Sequence, residues 1–160
     1  MSDFYNFVKN FFSTDESIDN TKYSTVGHEF RFSTDNAEGI YWFYEGDNFT
    51  IDIYDVFIKK EIIHTSFSGL NNFYSLYLSY LVTANGECFN PYQNLSSNSL
   101  YTINTKNSKD FRFLLHKNSP YLGIGINFNQ SMIEQCLSSY KNKVCNYEDR
   151  SEERRVGKEC

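Results

Sequence analysis

The feature that most constrains the fold is a succession of eight short runs rich in aromatic and β-branched residues, separated by turn-forming residues. No helical pattern alternates with these runs, which disfavours a parallel sheet with crossover helices. Short strands with tight breaks are typical of a closed barrel or of two packed sheets. The runs are Glu29–Ser33, Ile40–Glu45, Phe49–Ile58, Ile62–Phe67, Tyr74–Thr83, Leu100–Asn104, Phe111–His116 and Leu122–Phe128.

The last run shows the alternation of a strand with two different faces. Ile124 and Ile126 point to one side, while Gly123 and Gly125 point to the other. Between the fifth and sixth runs, the segment 84–87 contains Asn-Gly and is interpreted as a turn, with Cys88 as a turn residue rather than a nucleophile.

The segment before the strands has a helical pattern. Apolar residues within Asp3–Phe12 recur at the spacing of one helix face, and Ser2 or Asp3 is placed to cap the helix. The following residues are polar and loop-like. The sequence therefore predicts an N-terminal helix and arm over residues 1–24 and a β-barrel domain over residues 25–128.

After the last strand the period changes from that of a strand to that of a helix. Ser131 and Glu134 have the spacing of a capping box, and Ile133, Leu137 and Tyr140 fall on one side. The pattern predicts an amphipathic helix over 131–140, at the start of a further segment, 129–149. The expected fold class is mostly β, with a helix at each end.

The last eleven residues, RSEERRVGKEC, differ in composition from the rest of the chain. They contain no Phe, Tyr, Ile or Asn, although these types fill 57 of the first 149 positions. All eleven residues match the translation of a common sequencing-library adapter, so residues 150–160 are interpreted as an artefact, the alternative being a charged tail. On the adapter interpretation, the natural protein is expected to continue past Asp149.

Composition excludes several classes of protein. The chain is 40% hydrophobic and 18% aromatic, which is too apolar for a disordered protein. Its net charge of −5 argues against a surface for nucleic-acid phosphates, which requires clustered Lys and Arg. The sequence shows neither a secretory signal nor an apolar run of membrane-spanning length, so a cytoplasmic location is expected.

The sequence predicts no catalytic residue, metal site or cofactor, and hence a protein that is not an enzyme. His28, His64 and His116 lie on different segments without an H-x-H pair, so each is expected to be structural. Asp52 and Asp55 are three apart in a strand and should face opposite sides, which disfavours an acid–base pair. The cysteines lack a C-x-x-C motif and are expected to be reduced.

The second half of the strand-rich segment carries a family resemblance. YLSYLVTANGECFNPYQNLSSNSLYTIN, then FRFLLHKNSPYLGIGINF and a helix, resembles the N-terminal sensor domain of AraC-type bacterial transcriptional regulators. The matching pieces are Gly86-Glu87, Asn90-Pro91-Tyr92, His116-Lys117-Asn118 and Pro120. These are strand and turn motifs without chemistry. Gln93 and Asn94 stand where relatives often carry basic residues, which puts a polar contact there in doubt.

The resemblance implies a cupin-like jelly-roll barrel that binds a small-molecule effector. It also implies helices that pair two subunits, here through Ile133, Leu137 and Tyr140, and a DNA-binding domain of two helix-turn-helix units after Asp149. The chain would then be the effector-sensing and dimerisation domain of such a regulator, forming a weak homodimer and binding DNA only through the missing domain. The alternative is a stand-alone cupin-like small-molecule-binding protein or a small enzyme.

Four aromatic residues are the candidate ligand-binding residues: Trp42, Tyr44, Tyr54 and Tyr80. In a small barrel such side chains either fill the core or line a ligand cavity, and the sequence leaves both roles open.

The charge pattern of the strands indicates the charge of the expected ligand. Arg31 and Arg112 each lie between two Phe residues and are expected to face solvent. No cation then remains inside to pair with a carboxylate or phosphate, whose unpaired burial is costly. The expected effector is therefore uncharged or mildly polar, such as a sugar or an aromatic metabolite.

Overall fold

A computed structural model of the chain describes residues 1–14, 16, 21–64, 72–89, 92–104 and 112–139. Ten strands and two helices lie within these ranges. They are α1 (Asp3–Phe12), β1 (His28–Ser33), β2 (Ala37–Glu45), β3 (Phe49–Ile58), β4 (Ile62–His64), β5 (Leu76–Thr83), β6 (Asn85–Phe89), β7 (Gln93–Ser96), β8 (Ser99–Asn104), β9 (Arg112–Leu115), β10 (Ser119–Phe128) and α2 (residues 130–139).

The strands form two antiparallel sheets. The larger sheet has the order β1-β2-β3-β10-β5-β8, and the smaller has the order β4-β9-β6-β7. The chain crosses between the two sheets, from β3 to β4, β4 to β5, β5 to β6, β7 to β8, β8 to β9 and β9 to β10, in the manner of a jelly roll. The hairpin of β1 and β2 extends the larger sheet at one edge. The predicted mostly β, jelly-roll fold is confirmed.

The sequence analysis did not predict two of these strands, β6 and β7. The segment read as a turn at 84–87 is the start of β6, and Cys88 lies buried within that strand rather than in a turn. The chain does change direction at Ala84, but it passes from one sheet to the other instead of forming a hairpin. At Gly86 an added Cβ would lie 2.4 Å from the Leu114 carbonyl oxygen, so this glycine allows β9 to approach closely.

Both helices are capped by a side-chain oxygen. Ser2 accepts a hydrogen bond from the Tyr5 amide at 3.0 Å, as predicted for α1. In α2 the cap is Asn129, whose Oδ1 accepts from the Met132 amide at 3.0 Å. The predicted start at Ser131 was therefore wrong, because an asparagine two positions earlier already satisfies the first turn. Tyr140 and the interpreted adapter segment lie outside the described residues.

The inner face of the larger sheet is covered by two different elements. Over β1 and β2, α1 packs Phe4, Tyr5 and Val8 against Phe30 and Phe43. Over β5 and β8, the smaller sheet supplies the covering residues, and together the two sheets bury a second apolar cluster. That cluster contains Tyr77, Leu81, Cys88, Leu95, Tyr101 and Ile103. The inner faces of β3 and β10 lie between the two covers.

The outer face of the same sheet is the more aliphatic one. In β10, Ile124 is exposed and Ile126 is half-buried, whereas Gly123 and Gly125 are buried on the inner face. The predicted separation of the two faces is thus confirmed, and the isoleucines lie on the outer side. No helix in the described part of the chain is long and apolar enough to cross a membrane.

Candidate functional site

The inner face of β3 and β10, between α1 and the smaller sheet, carries a polar strip. Thr50 and Asp52 of β3 and Asn127 of β10 all point inward and are almost fully buried. Thr50 and Asn127 are direct cross-strand partners, as are Asp52 and Gly125. The Asn127 Nδ2 group donates to both Thr50 Oγ1 and Asp52 Oδ2, at 2.9 Å in each case. One amide thus ties the three polar side chains into a single group inside the fold.

Asp52 is the chemically unusual member of this group. It is 2% exposed, and its Oδ2 also accepts from the Tyr41 hydroxyl at 3.4 Å. Its Oδ1 is buried and has no hydrogen-bond partner among the described residues. Burial disfavours the charged form and raises the pKa of Asp52 to about 7, against the opposing effect of hydrogen bonding by Asn127, Tyr41 and the Gly125 backbone. This carboxyl group can therefore gain or lose a proton near neutral pH.

Gly125 makes the room for this carboxylate. A Cβ built on Gly125 would lie 2.1 Å from Asp52 Oδ1 and 2.9 Å from the Tyr77 hydroxyl oxygen. Both atoms thus occupy the space that a side chain on the facing strand would fill. The glycine is required by close packing around the carboxylate, because any larger residue would displace it.

Tyrosines surround the polar strip. Burial raises the pKa of Tyr41, Tyr54, Tyr77 and Tyr101, and raises that of Tyr121 to about 12, so these hydroxyls stay neutral. The rings of Tyr41 and Tyr54 are 4.5 Å apart, and those of Tyr54 and Tyr121 are 6.4 Å apart. The tyrosines therefore connect the cluster under α1 with the cluster between the sheets.

The junction of the two clusters is accessible. Tyr54 packs at the margin of the cluster under α1, and Tyr121 packs at the margin of the other cluster. Both side chains point inward, yet both are only half-buried, unlike their neighbours Tyr41 and Tyr77. We call this partly exposed, inward-facing surface the tyrosine cleft, defined by Tyr54 and Tyr121. Asp52 lies behind it, linked through Tyr41.

The structure separates the four candidate ligand-binding residues. Tyr54 lies in the tyrosine cleft, whereas Trp42, Tyr44 and Tyr80 lie on the outer face of the sheet. Trp42 is 8% exposed and donates its indole N–H to the Ser24 carbonyl at 3.0 Å. Tyr80 is 43% exposed, and its hydroxyl donates to Asn98 Oδ1 at 3.3 Å. The four side chains do not form one cluster, since strand alternation places three of them outside.

Residues 21–27, which we call the strap, cover the outer face over Trp42. The buried carboxylate of Glu29 accepts from the Lys22 amide at 2.8 Å and from Arg31 Nε at 3.0 Å. Lys22 and the Tyr23 hydroxyl both bond to Asp55 of β3. The Lys22 ammonium is the main cause that holds the pKa of Asp55 below its usual value. The outer carboxylates are thus satisfied by partners that the strap supplies.

The arrangement does not match a metal site of the cupin type. His28 lies on β1 and bonds Glu16 at 2.9 Å, while His116 follows β9 and lies 3.7 Å from Glu61. Within the described ranges, no group of three or more His, Cys, Asp or Glu side chains lies close enough to hold a metal ion. The described residues therefore do not fit such a metal. Burial raises the pKa of the Cys88 thiol to about 12, so this cysteine stays protonated and unreactive.

Comparisons with known proteins returned structural likenesses only. No protein-family model matches the sequence, and no curated protein does. The plu4264 protein from Photorhabdus luminescens is 11% identical, with a TM-score of 0.41 over 79% of this chain and 95% of that chain. A cupin-2 domain protein from Shewanella frigidimarina is 10% identical, with a TM-score of 0.34 over 76% of this chain and 89% of that chain.

A third similar structure comes from Streptomyces. Streptomyces PAC13 with uridine is 15% identical, with a TM-score of 0.39 over 69% of this chain and 84% of that chain. The prediction that the chain is not an enzyme was wrong as an exclusion, since it rested only on finding no metal-ligand set, no nucleophile and no paired carboxylates in the sequence. Asp52, which the sequence showed only as one of two scattered carboxylates, is a buried acid that titrates near neutral pH.

Proposed function

We propose that this jelly roll binds a small organic molecule in the tyrosine cleft. The observation that carries the proposal is the accessible, inward-facing surface of Tyr54 and Tyr121 beside a buried polar group. Ring faces and hydroxyls together suit a compact ligand that is part apolar and part polar.

The ligand that we propose is not an anion. Inward-facing positions of the described strands carry Asp52 and Glu45 but no Lys or Arg, and Arg31 and Arg112 are exposed. A carboxylate or phosphate would therefore be buried without a cation, at a cost of several kcal/mol. An uncharged or mildly polar ligand, as expected from the sequence, meets this condition, and so does a cation.

Calorimetric titration with glucose, phenol and benzoate tests the proposal. We expect phenol or glucose to bind and benzoate not to bind. Replacing the ring at the cleft, in Tyr54→Ala or Tyr121→Ala, should weaken binding about tenfold or more, equal to about 1.4 kcal/mol. Tyr80→Ala is the matched control, because that ring lies on the outer face. Binding that survives both cleft changes and disappears with Tyr80→Ala would refute the proposed site.

A finer proposal is that the domain is the sensor of an AraC-type regulator and pairs with a second copy through α2. The exposed surface of α2 supports it: Leu137 is 55% exposed and Ile133 is only half-buried. An unpacked apolar stripe on a helix favours association with another surface. DNA would be bound only through a further domain.

Two measurements test the finer proposal. Sequencing the gene beyond codon 149 should reveal an in-frame helix-turn-helix domain, and a stop codon within a few residues would reject it. Sedimentation should show a weak dimer that Leu137→Ser dissociates. Ser138→Ala, at an exposed position beside it, is the control.

A further inference from the structure

A more specific inference, which rests on the proposed function, follows from Asp52 Oδ1, the buried oxygen without a hydrogen-bond partner. Every described group around this carboxylate is neutral. Asn127 and Tyr41 donate to Oδ2, while Thr50, Tyr54 and Tyr77 add further uncharged side chains. Glu45, the cross-strand neighbour of Thr50, is itself an acid and accepts a hydrogen bond from Ser2.

A carboxylate in such surroundings needs a positive partner. Within the described part of the chain, no ion pair joins Asp52 to a Lys, Arg or His side chain, and Oδ1 accepts no hydrogen bond. Burying an ionised carboxylate without compensation costs several kcal/mol. Two things can remove that cost, a proton on the carboxyl group or a cation supplied from outside the protein.

The access route favours a cation of a particular kind. A ligand in the tyrosine cleft meets the rings of Tyr54 and Tyr121 before it reaches the polar strip. Ring faces attract cations, whereas they offer nothing to a second anion. A planar or compact nitrogen cation could therefore lie against the rings and donate its N–H groups toward Asp52.

We propose that the ligand of the tyrosine cleft carries a protonated amine or an amidinium group, and that Asp52 is its counter-ion. Binding of such a cation replaces the proton of Asp52, which leaves to solvent. Ligand affinity is therefore coupled to pH, since only the ionised carboxylate is competent to bind. A neutral ligand, in contrast, would bind with little dependence on the charge of Asp52.

Three probes of nearly identical shape but different charge separate these possibilities. Acetamidinium, acetamide and acetate are titrated by NMR into the wild-type chain at pH 8. We expect acetamidinium to bind about tenfold more tightly than acetamide, and acetate not to bind. Asp52→Asn, which keeps the shape and the hydrogen bond from Asn127, should abolish the preference for the cation. Asp55→Asn, three residues along the same strand but on the outer face, should preserve it.

A second measurement needs no variant and covers the case in which Asp52→Asn does not fold. In the wild-type chain, the affinity for acetamidinium should fall about tenfold between pH 8 and pH 6, because the carboxyl group takes up a proton over that range. Acetamide should show no such change.

The outcomes distinguish this inference from the proposed function. Equal binding of acetamide and acetamidinium, or a cation preference that survives Asp52→Asn, would overturn the inference. The proposed function would still stand if phenol or glucose bound in a manner that depends on Tyr54 and Tyr121. Absence of binding by acetamidinium at millimolar concentration would also reject the inference.

Discussion

Two aspartates on one strand have opposite environments. Asp52 faces inward, where burial without a cation raises its pKa to about 7. Asp55, three residues along β3, faces outward, where Lys22 and Tyr23 of the strap hold its pKa below the usual value. The two side chains belong to the same residue type and the same secondary structure. The face of the sheet on which each side chain lies therefore decides its proton affinity.

The inner and outer carboxylates also differ in how completely their oxygens are hydrogen-bonded, and an incompletely bonded buried carboxylate lowers the stability of the fold. Outer carboxylates receive partners from the strap and from β1: Glu29 has four hydrogen-bond contacts, two from Lys22 and Tyr23 of the strap and two from Arg31. The inner carboxylate keeps one oxygen without a partner. Local departures from optimal packing and pairing tend to mark functional sites. The Asp52 oxygen without a partner is therefore the main reason to place the functional site on the inner face of the sheet rather than on its outer face.

The largest effect is expected from removing the space around Asp52. Gly125→Ala would put a methyl group 2.1 Å from Asp52 Oδ1 and 2.7 Å from the Tyr77 ring, so it should destabilise the fold by about 3 kcal/mol or more. Gly123→Ala is the control on the same face of β10, because its closest contact is 3.3 Å, to a flexible Leu81 methyl group. Denaturant unfolding of both variants measures the difference. Equal stability of the two would contradict the close packing at Asp52.

The next effect is a gain in stability. Because the folded-state pKa of Asp52 is raised, the folded protein binds the proton more tightly than the unfolded chain, and stability falls as pH rises from about 4 to about 7. A shift of this size corresponds to roughly 4 kcal/mol above pH 7. Asp52→Asn removes the charge but leaves a buried amide, so we expect a gain of about 2 kcal/mol at pH 8.

Thermal unfolding of wild type and Asp52→Asn at pH 8 and at pH 5 checks this prediction. The gain should be smaller at pH 5, where the wild-type carboxyl group is mostly protonated in the folded state. A variant that is less stable than wild type at pH 8 would show that Asp52 is stabilised by a partner in its ionised form.

A smaller loss is expected at the buried carboxylate of the outer face. Glu29→Gln keeps one acceptor oxygen but presents an N–H₂ group to its remaining donors, so it should cost about 1 kcal/mol. Weaker attachment of the strap should also expose Trp42 and shift its fluorescence to longer wavelength. An unchanged emission spectrum would mean that Glu29 does not hold the strap over the tryptophan.

The smallest effect is expected at Asp55. Its partners are solvent-accessible, so Asp55→Asn should cost less than about 1 kcal/mol at neutral pH, and the cost should decrease at high salt. Because the folded-state pKa of Asp55 is lowered, the contribution should disappear as pH falls through that value. Chemical denaturation at two salt concentrations measures this loss of stability. A loss as large as that expected for Gly125→Ala would contradict the proposed difference between the inner and outer faces.

The sequence predicted the fold better than the site. Strand periodicity located β3 at its observed bounds and placed Asp52 and Asp55 on opposite faces. It could not tell which face is the inner one, because β10 places Ile124 and Ile126 outside and Tyr121 inside, and β5 places a tyrosine and a leucine on each face. That inversion depends on α1 and the smaller sheet covering the tyrosines, which are contacts between segments far apart in the chain.

The same limit explains the candidate ligand residues. Trp42 was chosen for its chemistry, but its indole is held under the strap by Ser24, a partner that strand alternation alone does not predict. Tyr121 and Asn127 were passed over, although they share the inner face with Gly123 and Gly125. Their spacing of two residues from these glycines, which places them on the same strand face, was the signal in the sequence that could have identified them.

The pKa of Asp52 is shifted above the ordinary aspartate value, and the pKa of Asp55 is shifted below it. Carboxyl carbon NMR of the wild-type chain across the pH range, assigned with Asp52→Asn and Asp55→Asn, measures both directly. We expect a titration midpoint at about pH 7 for Asp52 and a midpoint below the ordinary aspartate pKa of 3.8 for Asp55. Two midpoints close together near 3.8 would contradict this expectation, because Asp52 would then be solvated or paired.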